Sequence, residues 1–468
     1  MKYFFLTIGI LFVLSCNQAD SPISKDNAKT QEVSNQEMKL YNTIDSSIQA
    51  AWLTSLTEAT DELPYPFLSI ASGRTIIFYW DSYFTNSGLL FHDNVKQYAK
   101  NATDNLLHEV EVYGFVPNAS EPWGINRSQP AYLSMMVRDV YEAMESKDKQ
   151  WLLSAYKTLK KEYDFWMDDS PNTIEKNTTS IKGLVRYNHH ASEQDLIELY
   201  NHISDRFNFD KSISDKKKME MAGTYAAEAE SGMDFSPRFE GRTPDFIAID
   251  LNSNLYQYEI NFDWIKNELG IKDDIDWLSK AVNRKALITT YCWNEERGLF
   301  LDYDFINKRH SKVAAATSFS PMYAGLATTS QAERLVTNLS LFELKNGIST
   351  CEKSIEKYNY QWGYTSGWPP MHYIMIKALD NYGFKNDAQR IAKKYIDIVA
   401  KNYKTPSPLY FTNLKGEKEK RKPGFVYEKY NVKDGTIYDA EYASRPFMGW
   451  STGVYVYAYN YYKALKKE

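Results

Sequence analysis

Cysteine is scarce in this sequence, and neither sign of charge dominates it. The 468 residues hold three cysteines, Cys16, Cys292 and Cys351, too few and too unrelated in position for a disulfide framework, and no Cys or His stands at metal-ligand spacing. A formal net charge of −5 gives no general electrostatic pull toward nucleic acid. The basic runs Lys216-Lys217-Lys218 and Lys418 to Lys422 are local and read as solvated loops. The apolar run from Tyr3 to Leu14 is too short to span a bilayer as a retained helix. What the chain has in plenty is aromatic surface, 36 Tyr and 11 Trp among them, often beside Gly, Asn, Asp and Arg. That mixture suits a site that stacks flat sugar faces and hydrogen-bonds their hydroxyls. With 43% hydrophobic residues the chain can also bury a large core.

Met1-Lys2 and the apolar run behind them have the charge order of an export signal. The run ends Val13-Leu14-Ser15-Cys16, which resembles the bacterial lipobox, where cleavage leaves Cys16 as a lipidated N-terminus. Residues 1–15 are therefore expected to be a lipoprotein signal peptide. Residues 16–37, rich in Ser, Asn, Asp, Gln and Lys, should be a flexible tether. No linker-like stretch interrupts residues 38–468, which argues for one catalytic domain there. Three-four spacing of apolar residues marks helices at Leu152, Ala155, Tyr156, Leu159, Tyr163 and Trp166, at Ala388, Ile391, Ala392, Tyr395, Ile398 and Val399, and from Leu278 to Tyr291. The fold is expected to be predominantly α, with long loops carrying the chemistry. Exposed loops are expected near Asp168 to Lys182 and Lys211 to Met219.

The most informative stretch runs from Ala226 to Phe239 and contains Glu230-Ser231-Gly232-Met233-Asp234-Phe235-Ser236. Met233, Phe235 and Phe239 can supply the dry surroundings that raise the pKa of Asp234, as a general acid requires, whereas a nearby Arg238 would hold it ionised. Taken alone, such an aspartate is more often a structural ion pair. Its company lies elsewhere. Ser72-Gly73-Arg74 followed by Tyr79-Trp80-Asp81-Ser82-Tyr83-Phe84 joins a cation, a carboxylate and four rings. Asn118, in Gly114-Phe115-Val116-Pro117-Asn118, and Arg127-Ser128-Gln129-Pro130 offer donors and acceptors ahead of a helix, equally sound as sugar ligands and as caps.

Trp80-Asp81-Ser82-Tyr83-Phe84, Asn126-Arg127-Ser128-Gln129-Pro130, the Glu230 to Ser236 stretch, Gln361-Trp362-Gly363-Tyr364-Thr365-Ser366-Gly367-Trp368-Pro369-Pro370 and Glu428-Lys429-Tyr430 together resemble the successive motifs of the trehalase family, glycoside hydrolase family 37. They keep the family's order over nearly all of the mature chain. Weaker agreement is found at Ile249 to Leu255, at Trp293 to Gly298 with Asp302-Tyr303-Asp304, and at Gly449 to Val454. The resemblance implies an all-α (α/α)6 toroid and hydrolysis of α,α-trehalose with inversion, with no metal or organic cofactor. By motif position Asp234 would be the general acid and Glu428 the general base, with Glu441 the second candidate for the base. Arg74, Trp80, Asp81, Asn118, Arg127, Ser128, Gln129, Gly232, Gln361, Trp362 and Glu441 would contact substrate.

Acetal cleavage itself requires a proton delivered to the bridging oxygen and a water activated on the opposite face, so two carboxyls suffice. The chain also departs from the family pattern. The spacing between Arg74 and Trp80 is one residue short. Asn188-His189-His190-Ala191-Ser192-Glu193 stands where a Pro-Arg-Pro-Glu stretch usually follows Arg186-Tyr187, leaving His189 and His190 as candidate replacements. Gly363 occupies an aspartate's place and Met233 a tryptophan's. Two competing readings follow: a related α-glycosidase acting on another α-linked disaccharide or oligosaccharide, and a sugar-binding surface lipoprotein that has lost catalysis. The expected partners are a small sugar and, through the lipid alone, a membrane, with no nucleic acid and a monomeric state.

Overall fold

The structure is a computed structural model and describes residues 25–70, 74–168, 177–355, 358–412, 416–447 and 449–466. The expected signal peptide, Cys16 and the Ser72-Gly73 pair lie outside the described residues. The chain divides into two compact units, residues 1–43 and 44–468. In the first, the described part belongs to α1 (Lys25–Leu53). The tether expected over residues 16–37 is thus helical from Lys25 onward. Its Lys, Gln, Glu and Ala are good helix formers and no Gly or Pro interrupts the run, so polarity alone was a poor guide.

Residues 44–468 contain thirteen further helices among the described residues: α2 (Tyr79–Leu89), α3 (Lys96–Tyr113), α4 (Leu133–Ala143), α5 (Lys149–Met167), α6 (Glu193–Phe207), α7 (Asp215–Glu230), α8 (Ile249–Leu269), α9 (Trp277–Cys292), α10 (Ser320–Tyr323), α11 (Thr329–Thr337), α12 (Pro369–Asn381), α13 (Lys385–Lys404) and α14 (Trp450–Leu465). The inner helices α2, α4, α8, α10, α12 and α14 touch in that order, and α14 packs back on α2 to close the ring. Outer helices α3, α5, α9, α11 and α13 each follow their inner partner. The end of α1 that lies in this unit meets α14, where Trp52 Nε1 donates to Thr452 Oγ1 at 2.9 Å. The result is an (α/α)6 toroid.

Burial explains the two helix types. Every residue of α2 is buried, because this inner helix has neighbours on all sides and shows no amphipathic stripe. In α5 and α13 the apolar residues predicted from spacing are the buried ones, and the remaining face meets water. Tyr79 helps fasten the ring: its hydroxyl accepts from the Tyr132 and Leu133 amides at 2.9 Å and donates to Glu162 at 2.5 Å, while Tyr258 donates to the other Glu162 oxygen. This ties α2, α4, α5 and α8 with a buried polar network whose members are satisfied.

Two features prepare the site. The α6–α7 hairpin is inserted between α5 and α8 in sequence; α6 starts with a capping box, Ser192 with Asp195, and α7 begins at Asp215, so the loop expected over Lys211 to Met219 is shorter than its polarity suggested. Short antiparallel pairs join distant loops, Gly367 opposite Tyr430 and Tyr430 opposite Ile437, which brings the Gln361 and Glu428 segments together. Among the described residues no helix is long and apolar enough to cross a membrane.

Candidate active site

Asp234 stands just beyond α7, after a turn that requires glycine. Gly232 has φ +72°, and a Cβ there would come within 2.5 Å of the Trp80 indole, so the backbone lies directly on that ring. Met233, Phe235 and Phe239 are buried around it as expected. Burial raises the pKa of Asp234; Arg206 first, then Arg127 and more weakly Lys429, pull the other way without cancelling it. Arg238 is not the cation beside Asp234. It is fully buried, forks onto Asp250 at 3.0 and 2.5 Å, and bonds both oxygens of Asp302 at 2.7 Å. Its role is to clamp the loop to α8.

The other carboxylates of this stretch are braces. Glu230 accepts from the Ser128 amide (3.0 Å), the Asn188 amide (2.7 Å) and Asn177 Nδ2 (2.8 Å). Glu228 accepts from the amide and hydroxyl of Ser236, both at 2.8 Å. Each is fully buried, and burial pushes their pKa values up to about 7 and about 8.

Glu428 sits two residues ahead of Tyr430, where the paired strand begins. Its Oε1 accepts from the Tyr442 hydroxyl at 2.9 Å and its Oε2 from Lys429 Nζ at 3.0 Å. Lys429 is itself buried, its ammonium 4.7 Å from the centroid of Trp368 and 3.4 Å from that of Tyr442, and burial lowers its pKa against the pull of Glu428. Asp81, in the first turn of α2, is buried too; burial raises its pKa well above the ordinary range, with Glu428 and then Asp234 adding to the effect. Burial raises Tyr442 likewise, again with Glu428 and Asp234 contributing. Asp81, Lys429 and Tyr442 thus each lie within electrostatic reach of both Asp234 and Glu428.

A tryptophan cluster packs beside these groups. Trp362 stacks on Trp368 at 4.0 Å and meets Trp80 at 5.6 Å, and Trp450 closes on Trp80 at 5.8 Å. Next to it opens a cavity of about 430 Å³ bordered by Asp234, Phe235, Arg127, Trp123 and the face of α6 that carries His202 and Arg206. Trp123 is half exposed at 50%, with Phe78 and Arg127 against its ring. Among the described residues no group of three or more His, Cys, Asp or Glu is arranged to hold a metal ion.

The remaining expected contacts divide by what they are bonded to. Arg127 borders the cavity, with Nη1 on Asn126 Oδ1 at 2.7 Å and its buried Nε without a partner. Gln361 donates its Nε2 to the Asp234 carbonyl and its amide to Glu441 at 3.2 Å, while its own Oε1 is buried and unpartnered. Both offer an open valence to a ligand. Gln129 Oε1 accepts from the Trp80 amide at 3.1 Å, fixing the start of α2. Asn118 donates to the Ser128 and Ala229 carbonyls at 3.2 and 3.3 Å, and Ser128 donates its hydroxyl to Val116 O at 2.7 Å; the donor bonds of these two side chains are internal. Trp362 belongs to the tryptophan cluster. Arg74 is exposed ahead of α2 and is not among the residues bordering the cavity.

Neither histidine replaces the missing arginine. His189 is buried against Gly223, accepts from the Ala191 amide at 3.2 Å, and burial lowers its pKa to about 4. His190 packs edge-on to Phe115 and bonds Ile125 O at 2.7 Å. Sequence reading missed Arg206, Lys429 and Tyr442. Lys429 and Tyr442 adjoin residues already singled out, so looking one position further along would have found them. Arg206 gave no signal, since a charged residue on an amphipathic helix reads as solvated.

The helices close into a toroid of the (α/α)6 class, with Asp234, Asp81 and Glu428 within electrostatic reach of one another beside a tryptophan cluster. The trehalase family model matches residues 23–463, and the chain belongs to that family. It is 27% identical to the cytosolic neutral trehalase of Neurospora crassa over 84% of this chain and 58% of that protein. It is also 27% identical to a periplasmic trehalase of Escherichia coli, over 87% of this chain and 72% of that one. Among solved structures, neutral trehalase Nth1 from Saccharomyces cerevisiae superposes with a TM-score of 0.68 at 27% identity, covering 85% of this chain and 74% of that one. The chain spans little more than half the length of the fungal relatives, 58% and 51% in two of them.

Proposed function

We propose that this chain hydrolyses α,α-trehalose to two glucose molecules with inversion at the attacked carbon, Asp234 protonating the bridging oxygen and Glu428 activating water. The observation that carries the reading is the trio Asp81, Lys429 and Tyr442, each sensing both carboxyls. A raised pKa suits Asp234 to hold a proton until the bond breaks. Glu428 has its two oxygens oriented by Tyr442 and Lys429. Glu441 is the weaker choice of base because Arg206 already pairs with it. Asp81, driven toward its neutral form, would hydrogen-bond a sugar hydroxyl rather than act by its field. Membership of the trehalase family and intact acid and base positions favour this reading over another α-linked substrate or a binding protein without catalysis.

The test is a panel of α-linked disaccharides assayed for released glucose, with the anomers of early product resolved by NMR. Cleavage of trehalose to equal α- and β-glucose is expected, since only the attacked carbon inverts. Product that is α-glucose alone would overturn inversion, and cleavage of a different disaccharide would overturn the substrate. We further propose that residues 38–468 act as one catalytic domain, exported and tethered by a lipid on Cys16, and monomeric. The N-terminal charge order supports export, as does the similarity to a periplasmic relative. Incorporation of a labelled fatty acid that persists in Cys16→Ser would remove the anchor.

A further inference from the structure

Arg206 is the one arginine of the cavity that the motifs did not predict. It lies on the last turn of α6, eleven residues after Asp195, and the pair brackets a helical face along which Glu198, Leu199, His202 and Ile203 also border the opening. Its side chain is 24% exposed and pairs with Glu441, whose side chain is 7% exposed. Glu441 in turn accepts from the Gln361 amide at 3.2 Å, and Gln361 donates to the carbonyl of Asp234. One polar chain therefore runs from α6 through two loops to the acid. Arg206 is also the strongest of the cations acting on Asp234, ahead of Arg127.

The placement has a direction. Of the two carboxyls, Asp234 borders the open cavity together with α6, whereas Glu428 and Asp81 are not among its lining residues. A general acid works at the oxygen between two sugars, so the groups across it from the base face the departing one. A guanidinium has five N–H donors in a rigid fork, and Glu441 occupies only part of it. The open acceptor Gln361 Oε1 and the open donor Arg127 Nε stand by the same acid.

We propose that Arg206 is a substrate-contacting residue that grips hydroxyls of the departing sugar while Glu441 holds its fork in place. This rests on the hydrolytic reading above, and it gives α6 the task that His189 and His190 do not perform. The charged groups acting on Asp234 come from every side: Arg206 on α6, Glu228 on α7, Asp81 on α2, Arg127 ahead of α4, and Lys429 and Tyr442 on the late loops.

The test compares Arg206→Met and Arg206→Lys with the parent by Tm, by KM and kcat on trehalose, and by pH profile. Arg206→Met should raise KM about tenfold to a hundredfold, the scale of a lost charge-assisted hydrogen bond. Losing a cation next to Asp234 raises its pKa, so the alkaline limb of kcat/KM should move to higher pH. Arg206→Lys keeps the charge and loses the fork, so its KM should rise while its limb stays in place. It carries the test if the methionine variant folds poorly. A fall in Tm with KM and pH profile unchanged in both variants would make Arg206 a structural clamp and overturn the inference. If the parent cleaves no disaccharide, the hydrolytic reading fails separately, and calorimetric binding of trehalose decides: tenfold weaker in Arg206→Met supports the contact, equal affinity overturns it.

Discussion

Asp234 illustrates how one residue's chemistry is set by atoms distant in sequence. Its dry neighbours Met233 and Phe235 are adjacent in the chain, but the opposing cations come from Arg206 and Arg127. A carboxyl with a raised pKa remains protonated to higher pH, so an acid-catalysed rate should persist above the ordinary aspartate range and fall as pH climbs through that raised value. Asp234→Asn should cut kcat by about a hundredfold or more and abolish this limb, with Tm nearly unchanged. Turnover close to the parent's, measured as glucose release, would remove Asp234 from the mechanism. Local pattern made the Gly232 turn legible in the sequence and singled out Asp234 and Arg127, which border one cavity. It says less where one residue type serves two purposes. Asn118 and Ser128 carry the same donors whether they meet a sugar or a loop, and spacing could not tell that theirs are bonded within the protein. Spacing left open whether Arg238 acts on Asp234; its partners are Asp250 and Asp302, in other segments.

At the scale of elements, α2 and α14 pack against each other by backbone contact. A Cβ on Gly88 would come within 2.5 Å of the Gly453 carbonyl oxygen, and one on Gly453 would strike the Phe84 carbonyl. Neither obstacle is a flexible side chain, so the helices would have to separate. Gly88→Ala should therefore destabilise by about 1–3 kcal/mol or more, the scale of overpacking a close-packed interior. Calorimetry would register it as a lower Tm, and activity should fall with it because α2 begins at Tyr79-Trp80-Asp81. A Tm equal to the parent's would show that the contact is slack. This interface also explains which helices could be read in advance. Outer helices such as α5 and α13 have one wet face, and three-four spacing follows. An inner helix such as α2 is enclosed on all sides and its sequence carries no period, although α4 keeps a wet edge at Arg138 and Glu142, and only the motif resemblance pointed to a toroid. The polar start of α1 failed for the opposite reason, since helix propensity without an apolar stripe looks like tether.

Considered whole, the molecule buries many ionisable groups, and their pH dependence is a property of the entire fold. Burial raises Glu109 and Glu228 to about 8, Glu162 and Glu230 to about 7 and Asp139 to about 6. A carboxyl whose folded pKa is raised contributes stability that is present below its unfolded pKa near 4 and is lost as pH rises through the folded value. The buried histidines act with the opposite sign. Burial lowers His189 and His372 to about 4, so their contribution is present above about 6.5, the unfolded value, and is lost as pH falls below it. Between about pH 4 and 6.5 the five raised carboxyls outweigh the two lowered histidines, so Tm should fall on net as pH rises from about 5 toward 8.5, less steeply below 6.5 where the histidines oppose the decline. Glu109 isolates one member of the set: it is 3% exposed and its Oε2 has no hydrogen-bond partner. Each such carboxyl contributes a slope of up to about 1.4 kcal/mol per pH unit over its window. Glu109→Gln removes one proton from the balance, so the alkaline decline should become shallower and the variant should be the more stable protein at pH 9. Thermal unfolding of both proteins from pH 5.5 to 9 decides it, because parallel curves would mean that Glu109 takes up no extra proton on folding.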